Sequence, residues 1–367
     1  MRALCVTLDG GGNLPPELGI AAELVRRGGE VRFLGHEAQR RAIESAGFAF
    51  ESFTRGRDYV AAAPRSTLKA LMDLTGIFAD HGIGQDALAS IERSPVDVVV
   101  VDCLLWAATL DLAEADAPVI SLVHSIDAYF AKNARGPVGL IASLRGGNAV
   151  AALRAPQLTL VATRREFEPD NWTPNAPTKH VGFVWQGTPV EAVPDPERPR
   201  VLVSFSTTSF PGQARALQHV LDAFDGLPVE VVVTTGAVDP AELRAPANAR
   251  VERSIDHGEL LPTTSLVIGH GGHSTTARAL THGIPVLVMP MHPLMDQPMM
   301  GRAVERLAVG RVLPKSAKPA RIRATVESML ADATLRDAVT CLGTSARERD
   351  GAAAAADALE ARLVTAG

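Results

Sequence analysis

The chain has 367 residues, a formal net charge of −5 and only 4% aromatic residues. That balance excludes a broad basic face for a polyanion and a base-stacking surface, so nucleic acid is not an expected partner. Hydrophobic residues make up 46% of the chain, with a mean hydropathy of +0.10. This is ample for ordinary cores, and the length suggests two domains.

The chain opens on a buried strand, Ala3 to Leu8, and turns through Asp9-Gly10-Gly11-Gly12-Asn13-Leu14-Pro15-Pro16 into a helix from Glu17 to Arg27. No signal-peptide core precedes the strand. A strand at Val31–Leu34, a helix at Glu37–Ala46 and a strand at Phe48–Phe53 follow, and this alternation predicts a parallel sheet with helices on both faces. Thr54 to Ser94 reads as helical and irregular. The unbroken run Val96–Val101 is the pattern of a strand buried on both faces; with Leu104–Leu110 it is too short, and too interrupted by Asp97 and Asp102, to span a bilayer. A helix at Leu104–Ala115 and a strand at Pro118–Val123 come next, then a second strandless stretch from His124 to about Val150. Such long interruptions are where a pocket can be built.

Leu158–Ala162 and His180–Trp185 complete the first domain, expected over residues 1–185, with a Pro- and acid-rich linker over 186–198. A second strand–helix series starts with Val201–Phe205 and Val229–Thr234 and occupies 199–345. The alanine-rich tail, 346–367, reads as a helix able to pack back on the first domain. The expected class is α/β: two doubly wound, Rossmann-like domains facing across a cleft. Cys5, Cys103 and Cys341 are sparse and far apart, which fits reduced thiols in a cytoplasmic protein. A homodimer is compatible with the sequence, which does not specify one.

The segment richest in chemistry is His270-Gly271-Gly272-His273-Ser274-Thr275-Thr276. Ser265–Ile268 reads as a strand before it, and Thr276–His282 as a helix after it that stops at Gly283. A strand, a glycine turn and a helix start make an anion site, because glycine lets the backbone approach and first-turn N–H groups are unpaired. The hydroxyls of Ser274, Thr275 and Thr276 add donors, and His270 adds a donor or a positive charge. Ile284–Pro290 reads as another strand, followed by a loop from Met291 that ends in Asp296-Gln297.

Taken together, His-Gly-Gly-x-Ser-Thr, Gly-x-Pro, Pro and Asp-Gln over His270 to Gly310 resemble the donor-binding signature of the inverting, natural-product glycosyltransferases of the GT-B fold, a group that includes enzymes similar to glucuronosyl- and glucosyltransferases. The resemblance implies transfer of a sugar from a nucleoside diphosphate to a small hydrophobic acceptor, with the nucleotide sugar as co-substrate and no other cofactor. No Asp-x-Asp triplet occurs, so no metal clamp is expected. By the same resemblance His270 would contact the phosphate nearest the nucleoside, and Gly271, Gly272, His273, Ser274 and Thr275 would hold the pyrophosphate. Ser206, Thr207 and Thr208 would form its other clamp. The backbone at Ile255 would read the base, with Ser254 where an aromatic often stands, and Asp296 and Gln297 would meet the sugar hydroxyls. Asp-Gln could also simply cap a helix.

Two departures stand out. Many relatives that use uridine sugars carry a Glu for the ribose hydroxyls, and Arg278 occupies that position, which leans the donor toward a dTDP-deoxysugar while leaving a UDP-sugar open. The family's catalytic His or Asp corresponds to Asn13, after Gly12. A neutral amide can orient an acceptor but takes up no proton near pH 7. Asp102, at the C-terminal end of its strand, is the leading substitute base and His124 the next. A helix cap for Asp102 and a satisfied buried imidazole for His124 remain ordinary alternatives. Gly12, Asn13, Phe78 and Tyr129, with Leu71, Met72 and Phe130, are candidate acceptor walls, though core packing would explain the apolar ones equally well. A non-catalytic homologue acting as a partner or activator, or a nucleotide-sugar epimerase, would also bind the diphosphate. A dehydrogenase lacks its Gly-x-Gly-x-x-Gly spacing here, and a hydrolase lacks its Gly-x-Ser-x-Gly.

Overall fold

A computed structural model describes residues 1–10, 12–61, 67–206 and 208–366. The chain forms two compact units, Met1–Gly187 with Asp350–Gly367, and Thr188–Arg349.

The first unit is built on seven strands: β1 (Arg2–Val6), β2 (Glu30–Gly35), β3 (Ala49–Ser52), β4 (Val98–Asp102), β5 (Val119–Val123), β6 (Leu158–Val161) and β7 (Thr178–His180). They lie in the order β3-β2-β1-β4-β5-β6-β7, and every pairing is parallel. Because side chains alternate along a strand, Leu4, Val6, Val99 and Val101 enter one buried cluster. Ala3, Cys5, Val98 and Val100 enter another on the opposite face. The valine run therefore has no polar alternation: both faces are covered. The chain reverses direction across the sheet between β1 and β4, so the loops leaving these two strands open at a topological switch point, where doubly wound sheets bind ligands.

The second unit carries β8 (Arg200–Ser204), β9 (Glu230–Thr234), β10 (Ala249–Glu252), β11 (Leu266–Gly269), β12 (Val286–Val288) and β13 (Gly310–Val312). Their order is β10-β9-β8-β11-β12-β13, again all parallel. Its switch point falls between β8 and β11. Residues of the acidic, proline-rich stretch dock here, with Ala192 and Val193 donating backbone hydrogen bonds to His282 and Pro262.

The helix Gly351–Ala366 packs on Leu14–Arg26 of the first unit. Ala355, Ala356 and Leu359 are buried in that unit's core, and Arg27 bonds Asp357 at 2.7 Å and Glu360 at 2.9 Å.

Several boundaries differ from the sequence reading, and three of them have a plain local description. The last strand of the first unit ends at His180 rather than running through Trp185, because Gly182 adopts φ +95°, a left-handed conformation that extended pairing does not accept. Val181, Phe183 and Val184 are buried all the same. The helix after the glycine pair begins at His273, not Thr276. The segment read as a loop through Gln297 gives way to a helix, Gln297–Arg306, at its last residue.

Candidate active site

In the second unit, the end of β11 is shaped by what its glycines permit. Gly271 has φ +85°, and a Cβ there would fall 2.7 Å from the Val288 side chain. A Cβ on Gly272 would fall 2.4 Å from the His270 ring. Only glycine fits both places, and Gly272 then caps the helix His273–Thr281. Because the helix starts at His273, the backbone N–H groups of His273, Ser274 and Thr275 are its first-turn donors, aligned with the positive end of the helix dipole. Ser274 and Thr275 are half-buried and open to a ligand, whereas Thr276 is buried, which removes its hydroxyl from the donors expected. Burial pushes the His270 imidazole down to about 4, against a hydrogen bond to the Ser204 backbone, so this residue is neutral and not the positive charge allowed as an alternative. Its Nδ1 is buried without a protein partner.

Ser204, the last residue of β8, pairs with Gly269, so the loop after β8 lies beside the glycine turn. Ser206 is buried; its hydroxyl accepts the Thr208 N–H at 3.0 Å, and its carbonyl accepts from Gln213 at 2.8 Å. Thr208 is exposed, and Thr207 lies outside the described residues. Ile255 is half-buried and Ser254 exposed, ahead of a short helix capped by Asp256, which accepts the Gly258 N–H at 2.8 Å. The Arg278 charge lowers both the His257 and His282 pKa, after burial, so Arg278 faces that loop. Asp296 makes no side-chain cap, which removes the capping explanation. Gln297 is buried, its carbonyl oxygen accepting Met291 N–H at 2.7 Å and His292 N–H at 3.1 Å. It braces the loop and has its amide NH₂ left to offer a ligand.

In the first unit the residues expected to do proton chemistry converge. Asn13 is buried at the start of the helix Leu14–Arg26, and its Nδ2 donates to Asp102 Oδ2 at 2.6 Å. Gly10 makes room for it: a Cβ there would lie 2.7 Å from the Asn13 amide. Gly12 is exposed. Asp102 ends β4 with 1% exposure, and its other oxygen accepts the Leu104 N–H at 2.8 Å. Desolvation raises its pKa to about 7, against the lowering effect of those two donors. His124, just past the neighbouring β5, has its Nδ1 3.8 Å from Asp102 Oδ2 and its ring edge-on to Phe130.

Sequence reasoning missed Glu17. It is 3% exposed, and its Oε2 has no hydrogen-bond partner. Burial, then the Asp102 charge, push its carboxyl well above the usual range. The signal was present: Glu17, Ile20, Ala21 and Leu24 share one helical face, and a charged residue in that stripe is out of place unless it has a task.

Several expected acceptor walls are core. Phe78 is 5% exposed and packs on Trp106 at 5.0 Å between ring centroids. Phe130 is buried as well. Tyr129 is half-buried against it, Leu71 is half-buried, and Met72 is exposed. Of the aromatic candidates, Tyr129 alone keeps surface to offer.

One open, doubly wound sheet presents a glycine-shaped helix start at its switch point and a second such sheet presents a buried carboxylate at its own, the arrangement that the resemblance to GT-B glycosyltransferases leads one to expect. Comparison with known proteins agrees. Residues 218–360 match the family described as "Erythromycin biosynthesis protein CIII-like, C-terminal domain". The chain is similar to 4'-demethylrebeccamycin synthase of Lentzea aerocolonigenes, 27% identical over 78% of this chain and 82% of that protein. It is also similar to the TDP-daunosamine transferase DnrS of Streptomyces peucetius, 33% identical over 44% of this chain but only 40% of that one. The solved glycosyltransferase VinC, in complex with DTDP, shares the fold over the full length of both chains, with a TM-score of 0.78 at 19% identity. The family match over residues 218–360 and the shared two-unit fold make the chain similar to the natural-product glycosyltransferases of the GT-B fold. Among the described residues no helix is long and apolar enough to cross a membrane.

Proposed function

We propose that the protein is an inverting, metal-independent transferase that moves a sugar, preferably a deoxysugar, from a dTDP-linked donor to a small hydrophobic acceptor. The observation that carries this reading is the helix start at His273, shaped by Gly271 and Gly272. It offers consecutive backbone donors and a neutral imidazole to a leaving diphosphate, the electrostatic work that a metal ion performs elsewhere. The dTDP preference rests on Arg278 standing in place of a ribose-binding Glu and on the TDP donor named for the Streptomyces peucetius relative.

In this mechanism the acceptor hydroxyl gives its proton to Asp102 as its oxygen attacks the anomeric carbon. The bond from that carbon to the diphosphate oxygen breaks, and the leaving group departs with the electron pair toward His270 and the His273–Thr275 amides. Attack from the opposite face inverts the centre. Asn13 holds the receiving carboxylate in place, and a base poised near 7 suits work at neutral pH.

A thermal-shift panel of dTDP, UDP, GDP and ADP, each with and without excess EDTA, tests the donor site. A nucleotide present at a hundredfold its Kd should stabilise the protein by about 2.7 kcal/mol. The expected order is dTDP at least equal to UDP, with EDTA without effect. Strict dependence on magnesium, or selection of a purine nucleotide, refutes the proposal.

A further inference from the structure

We propose that Asp102, Cys103 and His124 also form a binding site for one soft divalent cation, with Zn²⁺ as the type case, and that filling it silences the enzyme. The second half rests on reading Asp102 as the base; the first does not.

The site arises from strand register. Asp102 pairs with Leu122 across β4 and β5, so Cys103 and His124, each just beyond its strand, are brought to the same rim. His124 Nδ1 is 3.8 Å from Asp102 Oδ2 and 3.9 Å from Cys103 Sγ, and the three ligand atoms all lie within 4.8 Å of one another. Zinc bonds of about 2.0–2.3 Å to nitrogen, oxygen and sulfur place tetrahedral ligands about 3.3–3.6 Å apart. His124 Nδ1 then has to approach its two neighbours by a few tenths of an ångström, and the Asp102 and Cys103 ligand atoms, within 4.8 Å of each other, by up to about an ångström, to close the cage on three ligands and leave a fourth position open.

Three further features suit a cation there. A carboxylate, a thiolate and a neutral imidazole sum to two negative charges, so a divalent ion would make the buried site neutral, and burying charge unpaired is what proteins avoid. The outer contacts are in place: the Asn13 amide and the Leu104 N–H fix the carboxylate, the kind of support that orients metal ligands. The thiol selects zinc-like ions over magnesium or calcium. A bound ion takes the Asp102 lone pair, and the acceptor's proton has nowhere to go.

The test uses the full chain stripped with chelator. Zn²⁺ is titrated in competition with a chromophoric chelator, Co²⁺ is added separately to follow the sulfur-to-cobalt charge-transfer band, and sugar transfer is assayed with and without one equivalent of Zn²⁺. We expect one zinc per chain, proton release on binding, a cobalt–thiolate band, and turnover lost with Zn²⁺ and restored by EDTA. Cys103→Ser should weaken binding at least tenfold, abolish the band and retain basal turnover that resists Zn²⁺. Cys341→Ser, which alters the exposed cysteine, should behave as wild type. Absence of stoichiometric binding, or a band lost in Cys341→Ser and kept in Cys103→Ser, overturns the site. One zinc bound with turnover undiminished overturns the silencing and with it Asp102 as the base, while leaving the site standing. A chain without transfer activity on any acceptor refutes the functional reading, and the two metal titrations still decide the site.

Discussion

Replacing Asp102 with Asn should separate proton chemistry from structure, because the two effects have opposite signs. The variant is nearly isosteric: its carbonyl oxygen can still accept the Leu104 N–H, and the Asn13 amide can turn over to present its own oxygen. The wild-type carboxyl has a pKa raised from 3.8 to about 7, a little over three units, equivalent to ~4 kcal/mol of differential interaction. A raised pKa in the folded state means the native protein holds the proton more tightly than the unfolded chain. Stability is therefore lost as pH rises from about 4 to 7, with the full penalty present above 7. That figure is already net of the two hydrogen bonds to the carboxylate, which lower the pKa. The expectation is that Asp102→Asn is more stable than wild type at pH 8 by up to ~4 kcal/mol, and not more stable at pH 4. Turnover should fall by roughly 10²- to 10⁴-fold, the usual weight of general-base catalysis, with donor affinity unchanged because the donor residues belong to the other unit.

The assay is steady-state transfer to an aliphatic alcohol acceptor between pH 5 and 9, in chelator-treated protein, beside denaturant unfolding at pH 4 and 8. Wild-type kcat/KM should climb about tenfold per pH unit below 7 and level off above it; the variant should be flat. Near-normal turnover in Asp102→Asn, or a flat wild-type profile, refutes Asp102 as the base. A variant that is both slow and less stable at pH 8 points instead to a structural carboxylate.

The donor site yields a second prediction: His270→Ala should weaken diphosphate binding by about 1.5–3 kcal/mol, the range for a hydrogen bond to a charged group. Ser274→Pro should weaken it by deleting one first-turn N–H, and wild-type affinity in both variants by titration calorimetry would remove this site. Asn13→Ala should lower turnover less than Asp102→Asn does, since it removes orientation but not the acceptor of the proton; equal losses would place Asn13 in the proton transfer itself. The second unit should also be acid-sensitive. Burial lowers His282 from 6.5 to about 4, so the unfolded chain takes up a proton that the native state refuses, and stability is lost as pH falls from about 6.5 toward 4, by ~3 kcal/mol at most for this residue. His282→Gln should flatten that limb in thermal melts, and an unchanged slope would show that His282 is not its source.

Much of the architecture is legible because the physics that forms it is local. A valine run without polar alternation means two covered faces, and both sheets obey that rule. Gly271 is legible for a different reason: a left-handed turn between a strand and a helix has few other solutions. The start of the following helix was harder to read, because its N-cap is Gly272, a residue that marks turns as readily as caps and lacks the oxygen of Ser or Asp. The strand end at His180 was obscured in the opposite way, since Val181, Phe183 and Val184 are apolar and buried, and only the φ of Gly182 takes them out of the ladder. Phe78 shows the general limit. An aromatic in a strandless segment reads equally as wall or core, and its partner Trp106 lies in a different helix, at a separation that no window of sequence contains.

The base illustrates the same limit at the level of chemistry. By resemblance the family's catalytic His or Asp falls at the position of Asn13, and Asp102 is its leading substitute. A carboxylate beside an imidazole that can become cationic is held ionised and weakly basic. Beside a neutral amide it keeps a strong hydrogen bond but loses the partner charge. Burial then dominates and raises the Asp102 pKa to about 7, which would give a carboxylate the basicity that the proposed mechanism asks of it. On the proposed mechanism, the identity of residue 13, and not only the presence of Asp102, therefore bears on which group accepts the proton.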